Sequence, residues 1–83
     1  MNTEELKTFI FLSKVKNFTL AAEQMFIAQS TVTNRIAELE SETGQKLFIR
    51  RQGGVELTEE GQLFLSYALR INELEESFVR EVN

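Results

Sequence analysis

Two helical patterns separated by almost nothing dominate the segment from Phe18 to Phe48, and that spacing leaves the chain few ways to fold. The first is short. Thr19 is a suitable cap, and the pattern runs through Ala21 and Ala22 to about Phe26. Two adjacent alanines let a neighbouring helix approach closely. A turn follows around Phe26-Ile27-Ala28 and contains neither glycine nor proline, so the usual punctuation does not locate it. A second pattern runs from Gln29 to Thr43, roughly 22 Å of helix, and Gly44 is a good residue to end it.

The rest of the chain supplies what those two helices pack against. Leu6, Phe9 and Ile10 recur at helical spacing between Thr3 and Val15, with Phe11 and Leu12 broadening the stripe. Asn2 followed by Glu5 predicts a capping box at its start. Leu47-Phe48-Ile49-Arg50 and Val55-Glu56-Leu57 read as two short strands around Gln52-Gly53-Gly54. Thr58 then opens a last helix of about 36 Å, whose apolar positions are Phe64, Tyr67, Ala68, Ile71, Leu74, Phe78 and Val82.

Composition narrows the chemistry. The 83 residues make a single small domain, whose core is only marginally sufficient alone. There is no Cys and no His, which removes disulfides, thiol nucleophiles, a switch near neutral pH and the usual zinc ligands. With no phosphate-cradling glycine loop either, an enzyme is not expected, and no cofactor or metal is. Neither a signal peptide nor a membrane span is legible, so a reducing cytoplasm is the expected setting.

The net charge of -4 is unevenly placed. Up to Val55, seven basic residues stand against six acidic ones; beyond it Arg70 and Arg80 face seven glutamates. The acidic excess therefore lies in the C-terminal segment. A local balance near neutrality still argues for weak non-specific attraction to a polyanion.

Projected at about 100° per residue, Val32, Ile36, Leu39 and Thr43 fall on one line of the second helix and should face the core. Ser30, Asn34, Ala37 and Ser41 fall opposite, with Thr31 and Thr33 on the flanks, and the first half of this outer surface offers Gln29, Ser30, Thr31, Thr33 and Asn34, all uncharged donors or acceptors. Its second half brings Glu38, Glu40 and Glu42, which phosphates repel. A helix of this kind enters a DNA major groove by its N-terminal end, where its dipole also favours phosphate. Asn34 and Gln29 suit adenine, and the threonine methyls suit thymine. Arg35, nearer the core-facing flank, is expected at a phosphate, and Arg50 and Arg51 at the base of the hairpin are expected at backbone or minor groove.

Six stretches carry a resemblance: Leu6-x-x-Phe9, Phe18-Thr19-x-Ala21-Ala22-Glu23, Gln29-Ser30-x-x-Thr33, Ile36-x-x-Leu39-Glu40, Gly44-x-x-Leu47-Phe48-x-Arg50 and Leu57-Thr58-x-x-Gly61. In register, they resemble the N-terminal DNA-binding domain of LysR-type transcriptional regulators. The resemblance implies a mainly α fold: a winged helix-turn-helix of three helices and a two-stranded hairpin over residues 1–57, then a linker and dimerisation helix over 58–83. It also implies homodimers on interrupted inverted repeats of double-stranded DNA, and a separate effector-binding domain that lies outside these residues. Ala28 stands where that family usually has a capping Ser, Ser30 where it often has Pro, and Asn34 where it often has Arg. The last difference implies a shift of readout from guanine towards adenine.

The last helix is too long for so small a domain to cover. Phe64, Tyr67, Ile71, Leu74 and Phe78 are therefore the expected contacts with a second copy. The rival reading keeps the same fold as a protein-interaction module that offers its acidic amphipathic helix to a partner.

Overall fold

A computed structural model describes residues 1–83 as four helices and one antiparallel hairpin. Helix α1 spans Thr3–Val15 and opens with the expected capping box: Asn2 Oδ1 accepts from the Glu5 amide at 2.8 Å, and Glu5 Oε1 from the Asn2 amide at 3.2 Å. Helix α2 spans Phe18–Met25, but its cap is Asn17 rather than Thr19. The reason lies upstream. Lys16 ends α1 in the left-handed region (φ 59°), so the chain is ready to re-enter a helix within two residues, and Asn17 Oδ1 takes the Leu20 amide at 2.8 Å.

The glycine-free turn works because Phe26 adopts the conformation a glycine would normally supply, at φ 59° and ψ 41°. Its amide donates to Glu23 O, and the Ile27 amide to Ala22 O, which satisfies the last carbonyls of α2. For a residue with a Cβ this costs about 1–2 kcal/mol. Helix α3 then spans Gln29–Thr43 and ends at Gly44 (φ 70°), the bounds its periodicity predicts.

Strands β1 (Phe48–Arg51) and β2 (Gly54–Leu57) pair in antiparallel register, Phe48 opposite Leu57 and Arg51 opposite Gly54. Helix α4 spans Glu59–Val82, and its cap Thr58 accepts from the Gly61 amide at 2.9 Å. Two glycines set how closely these pieces meet. A Cβ on Gly54 would collide with the Lys16 carbonyl, which accepts from the Val55 amide at 3.0 Å; one on Gly61 would collide with the Leu47 carbonyl, which accepts from the Thr58 amide at 3.0 Å.

The core is built around Phe9, which is fully enclosed. Its ring meets Phe48 of the hairpin at 5.2 Å and Phe64 of α4 edge-on at 4.8 Å. Ala21 and Ala22 of α2, and Val32, Ile36 and Leu39 of α3, close the other side. The first half of α4 enters the same core through Gly61, Phe64 and Ala68, while its second half continues beside the start of α1, where the Thr3 hydroxyl donates to Glu75 at 2.6 Å, and leaves Leu74 and Phe78 exposed. No helix is long and apolar enough to cross a membrane.

Candidate nucleic-acid interface

The first turns of α3 present what the projection predicts. Gln29, Ser30, Thr33 and Asn34 are exposed, and Thr31 is half-buried. Ala28, at the cap position, offers no side-chain bond to the helix. The Thr31 and Val32 amides return to the Ala28 carbonyl at 3.0 and 3.3 Å, which leaves the Gln29 and Ser30 amides facing outward without a helical partner.

Arg35 has a different engagement from the one its position in the sequence implies. Its guanidinium turns back against α1, donates to the buried Thr8 hydroxyl at 3.1 Å and lies 4.0 Å from Glu4. Thr8 itself donates to the Glu4 carbonyl at 2.8 Å. The cation thus holds α3 against α1, because it satisfies a hydroxyl that has no access to water.

Glu40 likewise leaves the outer surface. Its Oε2 accepts from the Leu47 amide at 2.8 Å and the Phe48 amide at 3.4 Å, and its Oε1 stands 3.5 Å from Lys46. The carboxylate therefore ties the end of α3 to the start of the hairpin. Glu42 accepts from the Met1 ammonium, and that bond raises the ammonium pKa above its ordinary value. Of the three glutamates expected on the outer half of α3, only Glu38 stays exposed without a partner.

The two hairpin arginines are not equivalent. Arg51 Nε pairs with Glu56 across the strands at 2.9 Å, so its charge has a partner on the exposed face of the hairpin. Arg50 is exposed with no ion-pair partner. It lines an open recess of about 330 Å³ with Asn17, Thr19 and Gln29, and a second of about 260 Å³ with Thr33 and Ala37 of α3. The one unpaired cation of the hairpin thus stands beside the uncharged end of α3. In the first recess the Thr19 hydroxyl donates to Gln29 Oε1 at 3.1 Å.

On α4 the expected contact residues divide. Phe64 packs on Phe9 and Ile71 lies against the core, so both serve the fold of one chain first. Tyr67, Leu74 and Phe78 are exposed at 51, 70 and 65%. Leu63, which the apolar pattern did not single out, is exposed at 63%. Leu63, Tyr67, Leu74 and Phe78 fall within about 60° of one another around the helix. Leu63 stands four residues before Tyr67, one helical turn away on the same side. The pattern omitted it because Phe64 beside it fits the core stripe as well.

Comparison with known proteins places this geometry. Residues 3–62 match the family described as bacterial regulatory helix-turn-helix protein, lysR family. The chain is 40% identical over all its 83 residues to the HTH-type transcriptional regulator CitR of Bacillus subtilis, covering 28% of that protein. It is 43% identical over 68 residues to the regulator HdfR of Yersinia enterocolitica, covering 82% of this chain and 23% of the relative. The chain therefore spans less than a third of these relatives. Among solved structures, a complex of the CbnR DNA-binding domain with DNA superposes with a TM-score of 0.93 at 33% identity, over 99% of this chain and 94% of that one. The complex of the BenM DNA-binding domain with the benA site 1 DNA gives 0.91 at 30% identity, over 99% of this chain and 95% of the other.

Proposed function

Because this chain belongs to the lysR family of bacterial regulatory helix-turn-helix proteins, we propose that it is the sequence-reading domain of a transcriptional regulator. The first turns of α3 lie in the major groove and the β1–β2 hairpin follows the backbone or minor groove. Gln29, Ser30, Thr33 and Asn34 meet base edges, and Arg50 meets phosphate. Arg51, held by Glu56, contributes less. Arg35 and half-buried Thr31 support the helix from behind. The single observation that carries this reading is the uncharged, exposed Gln29–Asn34 end of α3 standing next to the unpaired Arg50.

Two copies act together in this proposal. They pair through the apolar line of Leu63, Tyr67, Leu74 and Phe78 on α4, whose exposure in a single chain costs favourable burial. A dimer places two α3 ends about one DNA turn, or a multiple of it, apart, as an interrupted inverted repeat requires. Pairing also multiplies the modest affinity of a domain with so few free cations. The activity is binding, with no catalysis, and the cytoplasm is its setting.

Fluorescence anisotropy with labelled duplex from the native DNA upstream of a regulated gene tests the reading. Specific binding that weakens linearly in log salt, by about one slope unit per phosphate neutralised, is the expected result. Equal binding to unrelated competitor DNA would favour the protein-interaction module instead.

A further inference from the structure

Thr19 is the second residue of α2 and Gln29 the first of α3, so the starts of two packed helices bring these side chains together. The hydroxyl donates to Gln29 Oε1 at 3.1 Å. A glutamine otherwise swings freely, and either end of its amide can face a given direction. Threonine is branched at Cβ and in a helix holds only two common χ1 rotamers, so its hydroxyl oxygen has few positions to choose from. That bond fixes where the Gln29 amide sits, and with the hydroxyl as donor it is Oε1 that faces the domain. The oxygen is turned to Thr19, and the two Nε2 protons are left for whatever approaches α3.

We propose that Thr19 is a positioning residue for base reading: it holds the Gln29 amide so that Nε2 donates to an acceptor on a major-groove base edge. This rests on the DNA reading proposed above and narrows it. A freely turning Gln29 would pair with adenine through both ends of its amide, whereas one with Oε1 already engaged leads with its donor, towards a purine N7, a guanine O6 or a thymine O4. In open water the Thr19–Gln29 bond competes with solvent. As the end of α3 enters a groove and water leaves, the falling local dielectric strengthens it.

A threonine beside the start of a helix has a plainer role available, a direct bond to phosphate. The two roles leave different signatures. A phosphate contact adds affinity for every sequence alike, while a positioning contact adds preference at one base pair.

The test is selection from a fully randomised duplex library by the 83-residue chain and its variants, read as base preference at each position. Gln29→Ala identifies the position Gln29 reads by losing preference there. Thr19→Val, which keeps the shape of threonine without the hydroxyl, should lose preference at that same position by roughly two- to tenfold, the range that ordering one flexible side chain carries. Thr19→Ser should restore it, and Thr19→Val added to Gln29→Ala should change nothing further. The proposal is overturned if Thr19→Val keeps the wild-type preference at that position, or weakens all sequences equally. Failure of the underlying DNA reading looks different: the unmodified chain would enrich no sequence at all.

Discussion

The Glu40 carboxylate accepts the backbone amide of Leu47 at 2.8 Å, joining the last turn of the reading helix to the first residues of the hairpin. Glu40 is largely shielded, with its side chain 17% exposed, so this charge-assisted bond is not a surface ornament. Glu40→Ala should leave the Leu47 and Phe48 amides short of a partner and destabilise the chain by about 1–3 kcal/mol in urea denaturation. Glu38→Ala on the exposed face should change stability by less than about 0.5 kcal/mol.

Gly61 supplies a sharper test, because two effects of its replacement oppose each other. Alanine in a helix is favoured over glycine by about 1 kcal/mol. Here, however, a Cβ would meet the Leu47 carbonyl, part of the rigid backbone that receives the Thr58 amide. Gly61→Ala should therefore lower the denaturation midpoint. A rise in the midpoint would show that α4 shifts without cost.

Ala28 begins α3 without a side-chain cap. Ala28→Ser should add about 1 kcal/mol by accepting one of the free amides of the first turn. In so small a domain that raises the melting temperature by about 4–8 °C, measurable by circular dichroism.

Arg50 and Arg51 are neighbours with different partners, so their removal should separate. Arg50→Ala should weaken DNA binding across sequences and reduce the salt slope by about one unit. Arg51→Ala should do less, because Glu56 already pairs with it. Glu56→Gln should in turn strengthen binding by freeing Arg51. Anisotropy titrations at several salt concentrations read all three.

Leu74 and Phe78 lie beyond the core on the exposed line of α4. Leu74→Glu with Phe78→Glu should yield a monomer by light scattering at micromolar concentration, with the melting of one chain's core retained but no longer concentration-dependent. Affinity for a two-half-site duplex should fall far more than affinity for one half-site. Phe64→Ala differs in kind: it opens a hole beside Phe9 and should cost about 3–5 kcal/mol in folding itself.

Much of this was legible along the chain because helix and strand periodicities report the local backbone. The bounds of α1 and α3, the Asn2–Glu5 capping box, the Thr58 cap and the hairpin after Gly44 all follow from residues within a few places of one another. The end of α3 that carries donors rather than carboxylates follows likewise, since 3.6 residues per turn decide which side chains share a face. The cap of α2 escaped this reasoning because Asn17 and Thr19 are both good caps, and only the left-handed Lys16 before them chooses.

The sequence by itself thus determined the elements, their order and the uncharged end of the reading helix. Tertiary structure alone decided the employment of individual charges and apolar groups: Arg35 turned to Thr8, Glu40 to Leu47, Arg51 paired while Arg50 stands free, and Phe64 lies in the core while Leu63 beside it does not. Each of those outcomes depends on which surface lies within a few ångströms of a side chain, often from residues distant in the chain. Periodicity fixes the direction a residue points from its own helix; what stands there to receive it is set by how the helices pack.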